Sequence, residues 1–246
     1  MTFFDTFNTL ELPCDKLLHY FDIYDTWLSK FKGKSPRVLE IGVKHGGSAE
    51  LWYKHFGEGT HITGVDLNPI AQDAEYLTLL QGNQGDGDFW DTFIKQHGDT
   101  GFDIILDDGS HENAHQILTL EKLWPLLRSN GVFLCEDTHT SYYEGVRVKG
   151  GGLKNPASFT EYAKNLLDLI SDKHTYFALG VGKTPDSVHA DTELIRHYEG
   201  LKSLHFYDSV IVIEKDNNQP PFKRVNSSKD VSYGPLASPA PEDFSI

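Results

Sequence analysis

Residues 38–48 read Val38-Leu39-Glu40-Ile41-Gly42-Val43-Lys44-His45-Gly46-Gly47-Ser48, an apolar run that breaks into a glycine-rich turn. A helical pattern follows from Gly47 to Phe56. Glycine lets the backbone adopt a tight turn and approach a ligand closely. A strand, a glycine turn and a helix in this order are typical of the start of a βαβ unit. The stretch therefore predicts an α/β fold with a ligand site at the turn.

The same alternation of apolar runs and helical patterns continues along the chain, and it predicts a seven-stranded, mostly parallel sheet flanked by helices. Two final strands form a hairpin-like pair in this prediction, and residues 145–152 form a lid. The predicted strands are Val38–Gly42, Ile62–Asp66, Leu77–Gly82, Phe102–Asp107, Val132–Glu136, Tyr176–Val181 and Leu204–Glu214. The predicted helices are Asp15–Phe31, Gly47–Phe56, Gly87–His97, Asn113–Leu127 and Ser158–Ser171.

The composition divides the chain into three parts. Residues 1–34 form an N-terminal helical cap, residues 35–215 form the α/β domain, and residues 216–246 form an extended tail rich in Pro and Ser. Such a tail can reach a neighbouring subunit, so we expect a homo-oligomer. The formal net charge of -14 disfavours nucleic acid or an anionic membrane as partner, because both need clustered Lys and Arg.

The two cysteines, Cys14 and Cys135, have no metal-binding or disulfide-framework spacing. The first residues lack the pattern of a secretory signal, and no apolar run is long enough to span a membrane. We therefore expect a cytoplasmic protein.

Acidic side chains and a histidine follow two of the predicted strands. The first group is Asp107-Asp108-Gly109-Ser110-His111, and the second is Glu136-Asp137-Thr138-His139. Because the carboxyl ends of neighbouring parallel strands meet at one edge of a sheet, these groups converge on one pocket. Three carboxylates there would repel one another without a cation. Oxygen ligands suit Mg2+, and Mn2+ is also compatible.

The glycine turn has features of a nucleotide site. The next strand ends at Asp66, where a carboxylate can accept the ribose hydroxyls of an adenosine. The spacing of Gly42, Gly46 and Gly47 differs from the G-x-G-x-x-G of dinucleotide sites, which disfavours a nicotinamide-dependent oxidoreductase. Glu40 adds negative charge and favours a cationic ligand. A competing interpretation makes the acids ordinary helix N-caps.

These motifs together resemble the class I S-adenosylmethionine methyltransferases, which have a Rossmann-like fold. More narrowly, D-D-G-S-H and E-D-x-H-T-S-Y are similar to the metal-dependent sugar O-methyltransferases of natural-product pathways. The resemblance covers roughly residues 35–169. It implies a Mg2+-dependent enzyme that methylates a sugar hydroxyl of a glycosylated small molecule, with S-adenosylmethionine as donor.

The resemblance also implies roles for individual residues. It makes His111 the general base; His139, which the resemblance does not assign, becomes the candidate if His111 is not the base. The implied metal ligands are Asp108, Glu136 and Asp137. The implied cofactor contacts are Glu40, Gly42, Gly46 and Ser48 at the methionine end, Asp66 at the ribose, Gln84 and Asp86 at the adenine, and Asp107 at the amino group. Where related enzymes often have Gly-Asp-Gln after the third strand, this chain has Gly82-Asn83-Gln84.

Two other functions are compatible with these motifs. A catechol-type metal-dependent O-methyltransferase would use the same metal ligands to bind a diol on an aromatic ring. A non-catalytic protein could keep the cofactor fold as a binding scaffold, although intact acids and His111 at the expected positions argue against it.

Overall fold

A computed structural model describes residues 1–145, 150–171 and 192–216. Within these residues the chain forms one seven-stranded sheet with strand order β3-β2-β1-β4-β5-β7-β6. The pairs among β1 to β5 are parallel, whereas β7 is antiparallel to both β5 and β6. The strands are β1 Arg37–Ile41, β2 His61–Asp66, β3 Leu77–Gln81, β4 Phe102–Asp107, β5 Leu127–Cys135, β6 Leu201–Phe206 and β7 Ile211–Lys215.

Helices cover both faces of the sheet, and alternate side chains of each strand enter different apolar layers. Val38 of β1 packs with the N-terminal helices and α3, whereas Leu39 packs on the other face with α4 and α5. The helices are α1 Phe3–Phe7, α2 Tyr20–Leu28, α3 Gly47–Phe56, α4 Gly87–His97, α5 Asn113–Leu123, α6 Phe159–Asn165 and α7 Thr192–His197. No helix in the described ranges is both long enough and apolar enough to cross a membrane.

The predicted seven-stranded, mostly parallel sheet is confirmed. The parallel order reverses between β1 and β4, which lie side by side with β2 and β5 on their outer flanks. In such sheets a crevice opens at the carboxyl ends of the strands where the order reverses. The glycine turn and the D-D-G-S-H motif follow the two strands at this point.

Some predicted boundaries are wrong for identifiable reasons. Helix α5 ends at Leu123 instead of Leu127, and a short 3-10 turn containing Pro125 follows, because proline cannot donate the next helical hydrogen bond. The single strand predicted over residues 204–214 is two strands, β6 and β7. They pair with each other across a turn closed by the Tyr207 N–H, which donates to the Val210 carbonyl at 2.8 Å.

Other predictions lie outside the described residues. These are the strand at 176–181, the middle of the proposed lid at 146–149, and the tail from residue 217 onward. The three-part domain division also stays a prediction.

The N-terminal region differs from its predicted single helix. Helix α2 begins at Tyr20 instead of Asp15, and the short helix α1 precedes it. The segment between them is held by α3, because the N–H groups of Glu11 and Leu12 donate to the carboxylate of Glu50 at 3.1 and 2.8 Å. Residues 10–16 therefore run along the first turns of α3 and do not extend α2.

His55 fastens α1 to α3 and makes the stability of this region depend on pH. Its buried ring stacks on Phe3 with 3.5 Å between ring centroids, and its Nδ1 lies 3.1 Å from the hydroxyl of Thr6. Burial lowers the pKa of His55 from 6.5 to about 4, and the charge of Lys32 acts in the same direction. The folded state therefore binds fewer protons than the unfolded chain between these two pH values.

We expect His55 to cost stability as the pH falls from 6.5 toward 4. The decrease in free energy of unfolding caused by this residue is about 3 kcal/mol when the pH lies below the folded pKa, and it is absent above pH 6.5. Urea unfolding of the wild type and His55→Gln at pH 7, 5.5 and 4.5 measures it. The variant should lose less stability on acidification than the wild type. Equal losses in both proteins would contradict the prediction.

Candidate functional site

A cavity of about 770 Å³ opens at the carboxyl ends of the strands where the sheet order reverses. It joins the glycine turn, the end of β2 and the D-D-G-S-H motif to the N-terminal segment that precedes α2. The lining residues are Pro13, Cys14, Asp15, Lys16, Gly42, Val43, Lys44, His45, Gly47, Ser48, Asp66, Asp108, Gly109, His111 and Asp137. The predicted nucleotide and metal motifs thus share one pocket.

The glycine turn after β1 allows three stretches of backbone to meet. Gly42 has a φ of 90°, and a Cβ there would overlap the carbonyl of Asp108. A Cβ on Gly47 would overlap the carbonyl of Pro13. Gly46, with a φ of 86°, precedes the first residue of α3. The turn can hold these positions because glycine has no side chain to clash and tolerates positive φ.

Asp66, the predicted ribose contact, lies at the cavity and already holds the glycine turn. Its Oδ2 accepts hydrogen bonds from the N–H groups of Val43 and Lys44 at 3.1 and 2.8 Å, and its Oδ1 accepts from the N–H of Asn68 at 2.8 Å. The carboxylate of Asp66 therefore ties the end of β2 to the turn after β1. Asp66 thus has a structural role in the turn that does not depend on a bound ligand.

Glu40 is fully buried beneath the glycine turn. Its Oε1 accepts a hydrogen bond from the indole N–H of Trp52 at 3.0 Å, while its Oε2 is buried without a hydrogen-bond partner. Burial raises the pKa of Glu40 to about 7, although the charge of Lys16 and the nearby side chains of Trp52 and Ser48 act to lower this pKa. A buried acceptor with no donor suits a ligand that brings a cationic or N–H group.

Two of the predicted cofactor residues bind each other. The side-chain amide of Gln84 donates to both oxygens of Asp107 at 2.7 and 2.8 Å, and its carbonyl accepts from the N–H of Ser110 at 2.8 Å. Both side chains are buried, and burial raises the pKa of Asp107 to about 6. This pair fixes the loop that carries Asp108 and His111. The sequence motif pointed to both residues, and the structure places them beneath the loop.

Asp86, predicted at the adenine end, occupies the N-cap of α4. Its Oδ1 accepts from the N–H groups of Asp88 and Phe89 at 3.0 and 3.4 Å, and the residue is exposed. It is not among the residues that line the cavity. The position of Asp86 therefore agrees with the competing interpretation, in which the acid is a helix N-cap.

Asp108, His111 and Asp137 come together at one end of the cavity. One potential ligand atom from each lies within 4.8 Å of the others, and all three side chains are partly accessible. His111 and Asp137 have φ values of 57° and 52°, so both loops bend sharply after β4 and β5. The hydroxyl of Tyr20 donates to Oδ1 of Asp137 at 2.6 Å and orients it. The convergence predicted for strand ends far apart in sequence is present.

Glu136, the third predicted metal ligand, is buried and held by two donors. The hydroxyl of Tyr24 donates to its Oε1 at 2.6 Å, and the ammonium of Lys16 donates to its Oε2 at 2.8 Å. The same ammonium lies 2.5 Å from Oδ2 of Asp108. Sequence reasoning required a cation between these carboxylates, and in this structure Lys16 provides a positive charge there. The donor set still fits a hard metal ion, since it consists of carboxylate oxygens beside an imidazole.

The Lys16 side chain is only 2% exposed. Burial acts to lower its pKa, but the charges of Asp108 and Glu136 outweigh burial and raise the pKa of Lys16 well above its usual value. Lys16 is therefore a buried ammonium balanced by two carboxylates, an arrangement that is stable only while the partners stay in place.

Sequence reasoning missed Lys16, Tyr20 and Tyr24. One signal was available, because the three residues follow each other at intervals of four and so resemble one face of a helix with polar ends. From the sequence, this segment predicted only the helix Asp15–Phe31. Only the folded chain shows that these polar ends reach the carboxylates after β4 and β5.

Residues 39–138, which carry most of this site, match a protein family described as a methyltransferase domain. Residues 39–138 therefore form a methyltransferase domain, and the chain has the Rossmann-like fold of the class I methyltransferases. The seven-stranded sheet and the glycine turn after β1 agree with that fold.

Several O-methyltransferases are similar to this chain. The mycinamicin VI 2''-O-methyltransferase of Micromonospora griseorubida is 31% identical over 210 residues, which are 82% of this chain and 49% of the relative. The demethylmacrocin O-methyltransferase of Streptomyces fradiae is 31% identical over 210 residues, 82% of this chain and 50% of the relative. The chain thus spans about half the length of these relatives.

A solved structure with the same architecture is the MycE methyltransferase from the mycinamycin biosynthetic pathway in complex with Mg and SAH. It superposes with a TM-score of 0.69 at 28% identity, covering 88% of this methyltransferase and 54% of the MycE chain. The same protein has also been solved with Mg, SAH and mycinamycin VI, at a TM-score of 0.68 and 27% identity, covering 88% of this chain and 53% of that one.

The two candidate bases differ in position. Nε2 of His111 lies 3.5 Å from Oδ2 of Asp137, and His111 lines the cavity. His139 is farther from the same carboxylate, with its Nδ1 3.9 Å from Oδ1 of Asp137, and it is not a lining residue of the cavity. Geometry in this methyltransferase therefore favours His111 as the residue that handles a proton.

Proposed function

We propose that this methyltransferase transfers a methyl group from S-adenosylmethionine to a hydroxyl of a sugar in a glycosylated small molecule, with Mg2+ as its metal. The observation that carries the proposal is the meeting of Asp108, His111 and Asp137 at the cavity that also contains the glycine turn. The similarity to relatives named as O-methyltransferases, one of which acts on a rhamnosyl-tetracenomycin, supports the same substrate class.

The residues that would hold the metal are Asp108, Glu136 and Asp137. Their carboxylate oxygens match the preference of Mg2+, and Mn2+ accepts the same ligands. A divalent cation in such a site lowers the pKa of a hydroxyl that it binds, which makes the oxygen a better nucleophile. Tyr20 and Tyr24 hold two of these carboxylates by hydrogen bonds of 2.6 Å each and so prevent them from turning away.

His111 would act as the general base. A neutral imidazole can accept a proton near pH 7, and this step contributes substantially when the base is positioned against the reacting hydroxyl. A proton taken up at Nε2 would be stabilised by the carboxylate of Asp137, 3.5 Å away. The Nδ1 of His111 is buried without a hydrogen-bond partner, so the ring is oriented mainly by packing and by Asp137.

The glycine turn and Glu40 would bind the donor molecule. Gly42, Gly46 and Ser48 lie beside the turn, and the unpartnered Oε2 of Glu40 offers an acceptor to the cationic end of the donor. Asp66 would accept from the ribose in addition to holding the turn. The catalytic contribution of these residues is alignment of donor and acceptor.

Gln84 and Asp107 would shape the same donor site from behind the D-D-G-S-H loop, because their mutual hydrogen bonds fix its backbone. Asp86 would contribute through the N-terminus of α4, which it caps. We propose a homo-oligomer as well, and sedimentation of the purified chain is the direct measurement.

The test is a methyl-transfer screen with the full chain over glycosides and catechols, with and without EDTA. We expect transfer to a glycoside that disappears with chelator and returns with Mg2+. Calorimetry should show that S-adenosylhomocysteine binds and NAD does not. If catechols are methylated in preference to glycosides, the acceptor is an aromatic diol and the proposed sugar substrate is wrong. Binding of S-adenosylhomocysteine with no transfer to either class would favour the scaffold function.

A further inference from the structure

Lys16 joins the N-terminal segment to the two carboxylates that follow β4 and β5. Its ammonium lies 2.5 Å from Oδ2 of Asp108 and 2.8 Å from Oε2 of Glu136, and the side chain is 2% exposed. Burying a charge is costly unless its partners are close and well oriented, so this position depends on both carboxylates. The positive charge of Lys16 consequently offsets part of the negative charge of Asp108 and Glu136.

The two carboxylates that Lys16 occupies are two of the three proposed metal ligands. A divalent ion bound to Asp108 and Glu136 would lie within a few ångströms of the ammonium, and two cations in a buried site repel each other strongly. The carboxylate of Asp137 does not bind Lys16 and instead pairs with Tyr20 and approaches His111. Lys16 therefore binds the carboxylates of Asp108 and Glu136, whereas Asp137 and His111 are accessible from the cavity without a contact to Lys16.

The segment that carries Lys16 also covers the glycine turn. The carbonyl of Pro13 contacts Gly47 so closely that no Cβ could be accommodated there. The N–H groups of Glu11 and Leu12 bind the carboxylate of Glu50 at the first turn of α3. Movement of the Lys16 side chain out of the site would remove one of the contacts that hold residues 10–16 against the pocket.

We propose that Lys16 sets the metal affinity of this site by competing with the divalent cation for Asp108 and Glu136, and that metal binding loosens residues 10–16. The inference rests on the proposed function, because it requires a metal at these carboxylates. It assigns to Lys16 a positioning role, since the residue acts on the metal ligands and on the segment above the glycine turn.

The first test measures Mg2+ binding by calorimetry in the wild type, Lys16→Gln and Lys122→Gln. Lys122 is a matched control because it forms an exposed ion pair with Asp91 at 2.5 Å outside the pocket. We expect Lys16→Gln to bind Mg2+ about tenfold more tightly, since an internal competitor lowers the apparent affinity of a ligand. Lys122→Gln should bind as the wild type does.

The outcomes separate the two proposals. If the wild type binds Mg2+ and Lys16→Gln binds it equally or more weakly, competition by Lys16 is wrong while the metal site stands. If neither protein binds Mg2+ or Mn2+, the proposed metal site fails and the role of Lys16 fails with it.

A second measurement needs no variant and remains usable if Lys16→Gln does not fold. Hydrogen–deuterium exchange of the wild-type chain is followed with and without Mg2+. We expect the amides of residues 10–16 to exchange faster with Mg2+, while the interior of α4 keeps its rate. Unchanged or slower exchange in residues 10–16 at saturating Mg2+ would overturn the coupling between metal binding and this segment.

Discussion

Asp137→Asn is expected to reduce the rate of methyl transfer by on the order of a thousandfold. The substitution removes one charged oxygen from the proposed metal site while the Asn carbonyl can still accept from the hydroxyl of Tyr20. A metal contributes several kcal/mol of charge stabilisation in the transition state, and each 1.4 kcal/mol corresponds to about tenfold in rate. Asparagine also tolerates the φ of 52° at this position.

The measurement is kcat and kcat/KM at saturating Mg2+ together with the affinity for Mg2+. Asp91→Asn is the matched control, because it removes one carboxylate from an exposed ion pair with Lys122, and neither residue lines the cavity. We expect S-adenosylhomocysteine to bind Asp137→Asn with unchanged affinity. A wild-type kcat together with a wild-type affinity for Mg2+ in this variant would remove Asp137 from the proposed metal ligands.

His111→Asn is expected to lower kcat by about a hundredfold to ten-thousandfold, which is the range that a positioned general base contributes. Asparagine is preferable to alanine here, since the φ of His111 is 57° and asparagine adopts this conformation at lower cost. The amide cannot take up the proton near Asp137. The loss should appear in kcat, with the affinity for S-adenosylhomocysteine and Mg2+ nearly unchanged.

Two further variants make this result specific. His61→Asn changes a histidine at the opposite end of β2 and should keep the wild-type kcat. His139→Asn should lose much less activity than His111→Asn, because His139 does not line the cavity. A normal kcat for His111→Asn at pH 7 combined with a large loss for His139→Asn would transfer the role of base to His139.

The parts of the site that could be predicted are those encoded by residues that are neighbours in the sequence. The glycine turn is recognisable because an apolar strand, glycines and a helix follow one another directly. Asp66, Asp108 and Asp137 could be assigned to one pocket because each follows a strand, and parallel strands end at the same edge of a sheet. Gln84 and Asp107 lie beneath the loop that carries Asp108 and His111, and no local pattern predicted their hydrogen bonds to each other.

Two predicted boundaries of the fold are wrong, and each has an identifiable physical cause. Apolar residues continue through 204–214, so periodicity alone did not reveal the turn between β6 and β7. The predicted start of α2 at Asp15 is wrong because Asp15 and Lys16 line the pocket, where Lys16 binds Asp108 and Glu136. At the start of α2, contacts with a distant part of the chain outweighed the local helical preference.

The amino-acid sequence by itself determined the order of strands and helices, the glycine turn and the acids at the strand ends, because these depend on neighbouring residues and on the period of each element. Only the tertiary structure decided which charge faces those acids. Lys16 is 92 residues from Asp108 and 120 residues from Glu136, and Tyr24 is 112 residues from Glu136. Contacts over such separations arise only when the N-terminal segment packs across the ends of β4 and β5, since no local pattern encodes the approach of distant charges.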